Sequence, residues 1–388
     1  MQRKPPHALV RLAFQVEHHV ESWSWRLRRK LRLARPPRIL PYRGYGTAGR
    51  AVIKARVLED RKVRPPWRRY TLLGSAIASW KRYMTVEIPN ARLVARWGER
   101  TWEGTTDEEG FLELWVEPPA GTAAGWHEVE LELVAPTSKK GVPRVRAPVL
   151  VSGAEAELGI ISDIDDTVIV THVTNFLKRT WTLFLTEHRT RLPFEGVDAF
   201  YEALRQGRTG RAGNPIFYVS SSPWNLYEHL DEFLGLHRIP AGPLLLRDWG
   251  LSRTGFAPGG GHGHKLEKIR GLMEALAPLP FLLIGDSGQE DAEHYRTIVR
   301  EFPGRVRCVY IRNVWHRSGR ERELAAIAAE IQAAGSQMLM VDDTVTAARH
   351  AASQGWIHWR EVAEVQAHQR EDNEARGLLD ALDREPNA

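Results

Sequence analysis

The stretch that most limits what this chain can become is Leu158–Thr171, LGIISDIDDTVIVT. Leu158, Ile160 and Ile161 form a short apolar run that reads as a buried strand of a parallel sheet. The run leads straight into Asp163, Asp165, Asp166 and Thr167. Carboxylates gathered where a buried strand ends are costly unless something offsets their charge. A divalent cation is the usual answer, and oxygen ligands favour magnesium. On these residues alone, an acidic turn capping the next helix accounts for the pattern as well.

Downstream of residue 150 the pattern alternates strand and helix, the sign of a parallel sheet covered by helices. Apolar runs predict strands at 158–163, 215–220, 243–247, 280–285, 306–312 and 337–341, with helices at 223–235, 264–276, 290–301 and 320–334. The intervening segment 172–190 is too short for a separate cap domain. Its Phe176, Leu177, Trp181, Leu183, Phe184 and Leu185 make a wide apolar surface, suited either to core packing or to lining an apolar substrate. From about 366 to 388 the sequence is polar and reads as a surface helix with a frayed end.

Four expected strand ends each deliver a reactive group: DIDDT at 163–167, YVSSSP at 218–223, GHGHK at 261–265, and Asp286 with Asp291 in LLIGDSGQED at 282–291. Ligands of open parallel sheets bind at the carboxyl ends of the strands, so these groups would converge on one cleft. Together they suit phosphate-monoester chemistry, in which a carboxylate attacks only once a cation neutralises the dianion. Asp163 would be the nucleophile, and Asp165 would protonate the leaving alkoxide and then activate water. Ser220, with Ser221 and Thr167 beside it, would hold phosphoryl oxygens. Lys265 would neutralise charge. Magnesium would sit on Asp163, the backbone carbonyl of Asp165, and Asp286, with Asp291 orienting a metal-bound water. His262 and His264 also invite a zinc reading, but a zinc site wants more convergent nitrogen or sulfur ligands.

Upstream, the chain changes character twice. Residues 42–150 carry short β-type runs at Gly49–Leu58, Ala91–Trp97, Phe111–Val116 and His127–Leu133, with a turn at TTDEEG (105–110) and room for one helix at 70–83. They read as a small antiparallel β-sandwich ending in a linker at 136–148. Residues 1–41 form a basic head: Leu9, Leu12, Ala13, Val16, Val20, Trp23, Leu27 and Leu31 are spaced as one helix face over 7–33, and Pro36, Pro37 and Pro41 end it. The 388-residue chain has a net charge of +6, but residues 1–69 hold 19 Lys and Arg against 4 Asp and Glu. The helix therefore either lies on an anionic bilayer or packs its stripe on the body of the protein. No nucleic-acid-binding module follows it, so nucleic acid is not expected as a partner. A lone cysteine, Cys308, excludes an intrachain disulfide and suits a reducing compartment. With no secretory signal and no apolar run of membrane-spanning length, the expectation is a cytoplasmic protein, peripheral on the membrane if the head binds lipid.

The ordered set resembles the haloacid dehalogenase superfamily of phosphohydrolases, with DIDDT as its first motif, Ser220 its second, Lys265 its third and GDSGQED its fourth. More narrowly, SDIDDT, YVSSSPWNLY, HK, GDSGQEDAEHY and YIRNV (310–314) are similar to the catalytic domain of App1-type phosphatidate phosphatases. The resemblance covers about 155–350. It implies an α/β, Rossmann-like catalytic domain with a minimal cap over 151–365, and magnesium-dependent hydrolysis of phosphatidate to diacylglycerol and phosphate at a membrane surface. Two other readings stand beside it: a phosphatase for a soluble phosphomonoester, and a non-catalytic phosphatidate-binding module.

Overall fold

The computed structural model describes residues 35–60, 86–137, 141–168, 193–247, 262–314 and 319–384. The expected helices at 7–33 and 70–83 and the apolar segment 172–190 lie outside these residues. The chain divides into two compact units.

The first unit is antiparallel. Its strands are β1 (Pro37–Thr47), β2 (Ala51–Glu59), β3 (Arg92–Trp97), β4 (Arg100–Thr105), β5 (Phe111–Val116), β6 (Gly125–Ala135) and β7 (Arg144–Ser152). Hydrogen bonding joins all seven into one sheet in the order β4-β3-β6-β7-β1-β2-β5, where the sequence suggests two facing sheets. The two end strands come close: a Cβ added at Gly104 on β4 would lie 2.6 Å from Leu112 on β5. A single core of Ile53, Ala55, Val57, Leu93, Ala95, Leu131 and Val149 fills the sheet. The turn expected at 105–110 is present, its backbone gathered by Asp107, whose Oδ1 accepts from the N–H groups of Glu109 and Phe111.

Two expectations need correction here. The stretch 136–148 is not all linker, because β7 begins at Arg144 and pairs with β6 from Glu132↔Arg144 to Gly125↔Val151. Its arginines hide the strand pattern; they face neighbouring acids, with Arg144 3.1 Å from Glu132 and Arg146 2.9 Å from Glu128. Likewise Pro37 and Pro41 lie inside β1, paired with Glu59 and Ala55.

The second unit alternates strand and helix as expected. In chain order it holds β8 (Gly159–Ser162), α1 (Val197–Gln206), β9 (Ile216–Pro223), α2 (Tyr227–Leu236), β10 (Leu244–Arg247), α3 (His262–Ala275), β11 (Phe281–Asp286), α4 (Asp291–Glu301), β12 (Val306–Arg312), α5 (Arg320–Ala333), β13 (Gln337–Val341), α6 (Thr344–Ser353) and α7 (Trp359–Arg384). The sheet order is β10-β9-β8-β11-β12-β13. The pairs β9–β8, β8–β11, β11–β12 and β12–β13 are all parallel. Successive strands thus build outward on one side of β8 and then, from β11, on the other. Such a reversal opens a crevice at the carboxyl ends of the two central strands. The polar stretch from 366 is the later part of α7, one helix from Trp359. It is tied to the start of α1, where Asp372 accepts the Gly196 N–H (2.8 Å) and His368 pairs with Asp198 (2.9 Å).

Candidate active site

β8 and β11 are adjacent in register, Ile284 opposite Ser162, so Asp163 and Asp286 emerge side by side at the crevice. Past Asp163 the chain leaves the sheet in a tight turn. Asp166 takes φ 55, a left-handed conformation that Asp tolerates better than most residues, and Val168 N–H donates to Ile164 O at 2.9 Å. At the end of β11 the loop folds round Asp286, whose Oδ1 accepts from the N–H groups of Gly288 (2.6 Å) and Gln289 (2.9 Å). Asp291 starts α4 and reaches back, its Oδ2 accepting the Asp286 N–H at 3.2 Å. This return requires glycine at 285, since a Cβ there would lie 2.5 Å from Asp291 Oδ2.

Lys265, on the first turn of α3, places Nζ 3.0 Å from Asp163 Oδ1 and 2.6 Å from Asp291 Oδ1. Ser220, from β9, donates to Asp165 Oδ2 at 2.9 Å. The structure therefore brings Asp163, Lys265, Asp286 and Asp291 into one contact group and pairs Asp165 with Ser220, each 3% exposed or less. Thr167 is buried nearby in the chain and Ser221 is partly exposed on β9. Neither side chain hydrogen-bonds to this group among the described residues. His264 is occupied otherwise, with Nε2 2.9 Å from Leu246 O; the side chain of His262 lies outside the described residues.

Among the described residues, four buried carboxyl groups share the site with one ammonium. Burial pushes the Asp163 carboxyl well above the usual range; Asp291, Asp165 and Asp286 add to the rise and Lys265 opposes it. Burial, reinforced by Asp291, pushes Asp286 up to about 8. For Lys265 burial acts to lower the pKa, but Asp163, Asp291 and Asp286 outweigh it and hold the ammonium charged above its ordinary value. Asp163, Asp286 and Asp291 offer carboxylate oxygens all within 4.8 Å of one another. Asp163 Oδ2 and Asp286 Oδ2 accept no hydrogen bond among the described residues. Buried carboxylate oxygens without donors, clustered at this spacing and all oxygen in type, fit a hard divalent cation. Asp165 is not in this triad by its side chain. Its carbonyl accepts from Gln289 Nε2 at 3.3 Å.

Several contributors carry little sequence signal. Arg320, on the first turn of α5, donates to the carbonyls of Ser287 (3.2 Å) and Gln289 (2.9 Å) and pairs with Glu293, clamping the loop that bears Asp286. Ser287 Oγ accepts the Val314 N–H at 3.1 Å. Arg312, at the end of β12, is buried with its guanidinium 4.0 Å over the Phe194 ring and donates to Thr344 Oγ1 at 2.8 Å. Gln289 is visible in GDSGQED, but nothing in its residue type assigns it a partner; Arg320 lies outside every motif.

Comparison with known proteins locates the similarity in this unit. Residues 158–313 match the family model described as "Phosphatidate phosphatase APP1, catalytic domain". The chain is 28% identical over 155 residues to phosphatidate phosphatase APP1 of Saccharomyces cerevisiae, an alignment covering 40% of this chain and 26% of the yeast protein. It is 27% identical over 215 residues to an uncharacterized protein of Schizosaccharomyces pombe, covering 54% of this chain and 34% of that one. The chain thus spans a quarter to a third of the length of these relatives. Among solved structures, a carbohydrate acetylesterase from Xanthomonas citri aligns over 77% of this chain and 66% of its own at 10% identity, with a TM-score of 0.28, too low to bear on the fold. Every motif that converges on the crevice from Asp163 to Asp291 falls inside the matched region, and residues 158–313 are similar to the catalytic domain of App1-type phosphatidate phosphatases.

Proposed function

We propose that this protein hydrolyses phosphatidate to diacylglycerol and inorganic phosphate, using a Rossmann-like domain of the haloacid dehalogenase type with magnesium as its cation. The observation that carries the reading is the contact of Lys265 with both Asp163 and Asp291, beside Asp286, at the reversal of strand order inside the matched region.

Asp163, Asp286 and Asp291 would hold the cation, with the Asp165 carbonyl available beside them. When bound, magnesium supplies charge neutralisation for a phosphate dianion approaching anionic groups. Asp163 attacks phosphorus, forming an aspartyl-phosphate as the bond to the alkoxide of diacylglycerol breaks. Asp165, oriented by Ser220, gives that alkoxide its proton. The same carboxylate then takes a proton from water, which attacks the acyl phosphate and restores Asp163. Lys265 opposes the rise that burial imposes on the Asp163 carboxyl and offsets charge on the phosphoryl group. Ser220, Ser221 and Thr167 supply hydroxyls on the substrate side. The excess of Lys and Arg over residues 1–69 supports a negatively charged lipid surface as the place of action.

The test is phosphate release from phosphatidate in mixed micelles with magnesium, run beside a soluble aryl phosphate, with Asp163→Asn as control. Preference for phosphatidate, abolished in the variant, is the expected result. Turnover of the aryl phosphate alone would keep the chemistry and remove the lipid substrate. Turnover of neither would move the protein to the class of silent binders.

A further inference from the structure

The backbone C=O of Asp163 accepts from a buried hydroxyl, and its N–H donates to a carbonyl that a second buried hydroxyl also meets. β8 ends at Ser162, so Asp163 is the first residue whose carbonyl has no strand to pair with. A buried carbonyl left unpaired is costly. Ser162 takes the place of the missing strand by donating from Oγ to Asp163 O at 2.6 Å. Ser162 Oγ also lies 2.7 Å from the hydroxyl of Tyr201, on α1. A serine hydroxyl has one proton, and here it is spent on Asp163 O, so Tyr201 is the donor in that contact. The order is therefore Tyr201 O–H to Ser162 Oγ, and Ser162 O–H to Asp163 C=O.

The N–H of Asp163, in the preceding peptide, is paired with the neighbouring strand. Asp163 N–H donates to Ile284 O at 2.9 Å, and that carbonyl also accepts from Tyr295 O–H at 2.8 Å. Tyr201 and Tyr295 are 1% and 2% exposed. Their rings alone would be served by phenylalanine, which carries no polar atom into the core. The hydroxyls are retained where each lies one bond from a group that holds Asp163. Burial also keeps both phenols protonated well beyond neutral pH, so each remains a donor.

We propose that Tyr201, acting through Ser162, is a positioning residue for this site: it fixes the carbonyl of Asp163 and with it the direction in which the carboxylate leaves the end of β8. A nucleophile displaced by about 1 Å loses roughly a hundredfold in rate. A relay that restricts one peptide should account for part of that, about tenfold. The consequence for turnover rests on the phosphatase reading above, whereas the restraint on the peptide does not.

The experiment compares Tyr201→Phe, Ser162→Ala, their combination and Ser162→Thr in the full chain. Amide hydrogen exchange is followed by mass spectrometry over peptides spanning 158–168, and turnover is followed in parallel. The expected result is exchange at least severalfold faster in those peptides for Tyr201→Phe, with strand β2 of the first unit unchanged. Turnover should show kcat lowered about tenfold at constant KM. Ser162→Ala should reproduce the effect, the double variant should be no worse than the more severe single one, and Ser162→Thr, which keeps the hydroxyl, should restore it. If Tyr201→Phe does not fold, Ser162→Ala carries the same test without altering α1. Exchange at wild-type rates over 158–168, or additive losses in the double variant, would overturn the relay. A wild-type protein with no phosphatase activity would remove the functional reading, and the exchange data would still decide whether the peptide is held as described.

Discussion

The excess of buried negative charge makes cation binding a proton-coupled event, and its size follows from the site. Asp286 is pushed up to about 8 by burial and by Asp291, so without a cation it is protonated at pH 6. A cation must displace that proton. For one group of pKa about 8, apparent affinity should rise about fiftyfold from pH 6 to pH 8, with close to one proton released per ion at pH 6. Asp163 is shifted in the same direction and adds to the slope. Titration of magnesium into the protein by calorimetry, in two buffers of different ionisation enthalpy and with no substrate present, measures both quantities. Stability without cation carries the matching sign. Between the unfolded carboxyl pKa near 4 and about 8, the folded state binds more protons than the unfolded one. Unfolding free energy therefore falls as pH rises through that window, and added magnesium should oppose the fall. An affinity flat from pH 6 to pH 8, with no proton release, would mean that Asp286 is ionised without a cation and that the charge argument fails.

Three further outcomes follow from the same geometry. Lys265→Met leaves the buried carboxylates without their cationic partner and should destabilise the metal-free protein by about 3–5 kcal/mol in urea unfolding; an unchanged midpoint would show that another group balances the charge. Gly285→Ala puts a methyl into the space of Asp291 and should weaken magnesium binding at least tenfold in calorimetry while the circular dichroism spectrum is kept; wild-type affinity would show that Asp291 does not need its present position. Arg320→Ala should lower magnesium affinity by loosening the Asp286 loop, and Arg320→Lys should fail to restore it, because an ammonium cannot bridge two carbonyls and Glu293 as a guanidinium fork does. Full recovery with lysine would reduce the role of Arg320 to charge.

The strands of the second unit are legible because a strand buried on both faces must be an apolar run. Ile216–Val219, Phe281–Ile284 and Val309–Ile311 are such runs, and each lies where the pattern puts it. The first unit is harder to read. β4 (RTWEGT) is largely exposed, so nothing apolar marks it. β7 opens with two arginines whose acidic partners lie across the pairing with β6, and β1 carries prolines that locally argue against a strand. Asp163 and Asp286 are legible because each follows an apolar run, whereas Lys265 and Asp291 open helices and are legible only within their motifs. The residues that orient them are not. Tyr201 falls on the buried stripe of an amphipathic helix and looks like any core aromatic. Arg320 looks like any surface arginine at a helix start. Their roles depend on which carbonyl each meets, and backbone partners leave no pattern in side-chain order.

The adjacency of β8 and β11 also bears on how the chain assembles. Asp163 and Asp286 meet only when Phe281–Ile284 has paired with Gly159–Ser162, and everything from α1 to α3 lies between them in the chain. Parallel pairing across so long a loop is slow to form, because closure entropy is lost before contacts repay it. Repulsion among the carboxylates is felt at that same event, since earlier, looser states keep them apart in water. The carboxylate cluster is thus where the folding route meets its electrostatic resistance. Divalent cations present during refolding would be expected to act on the rate of this closing step as well as on the stability of what it forms.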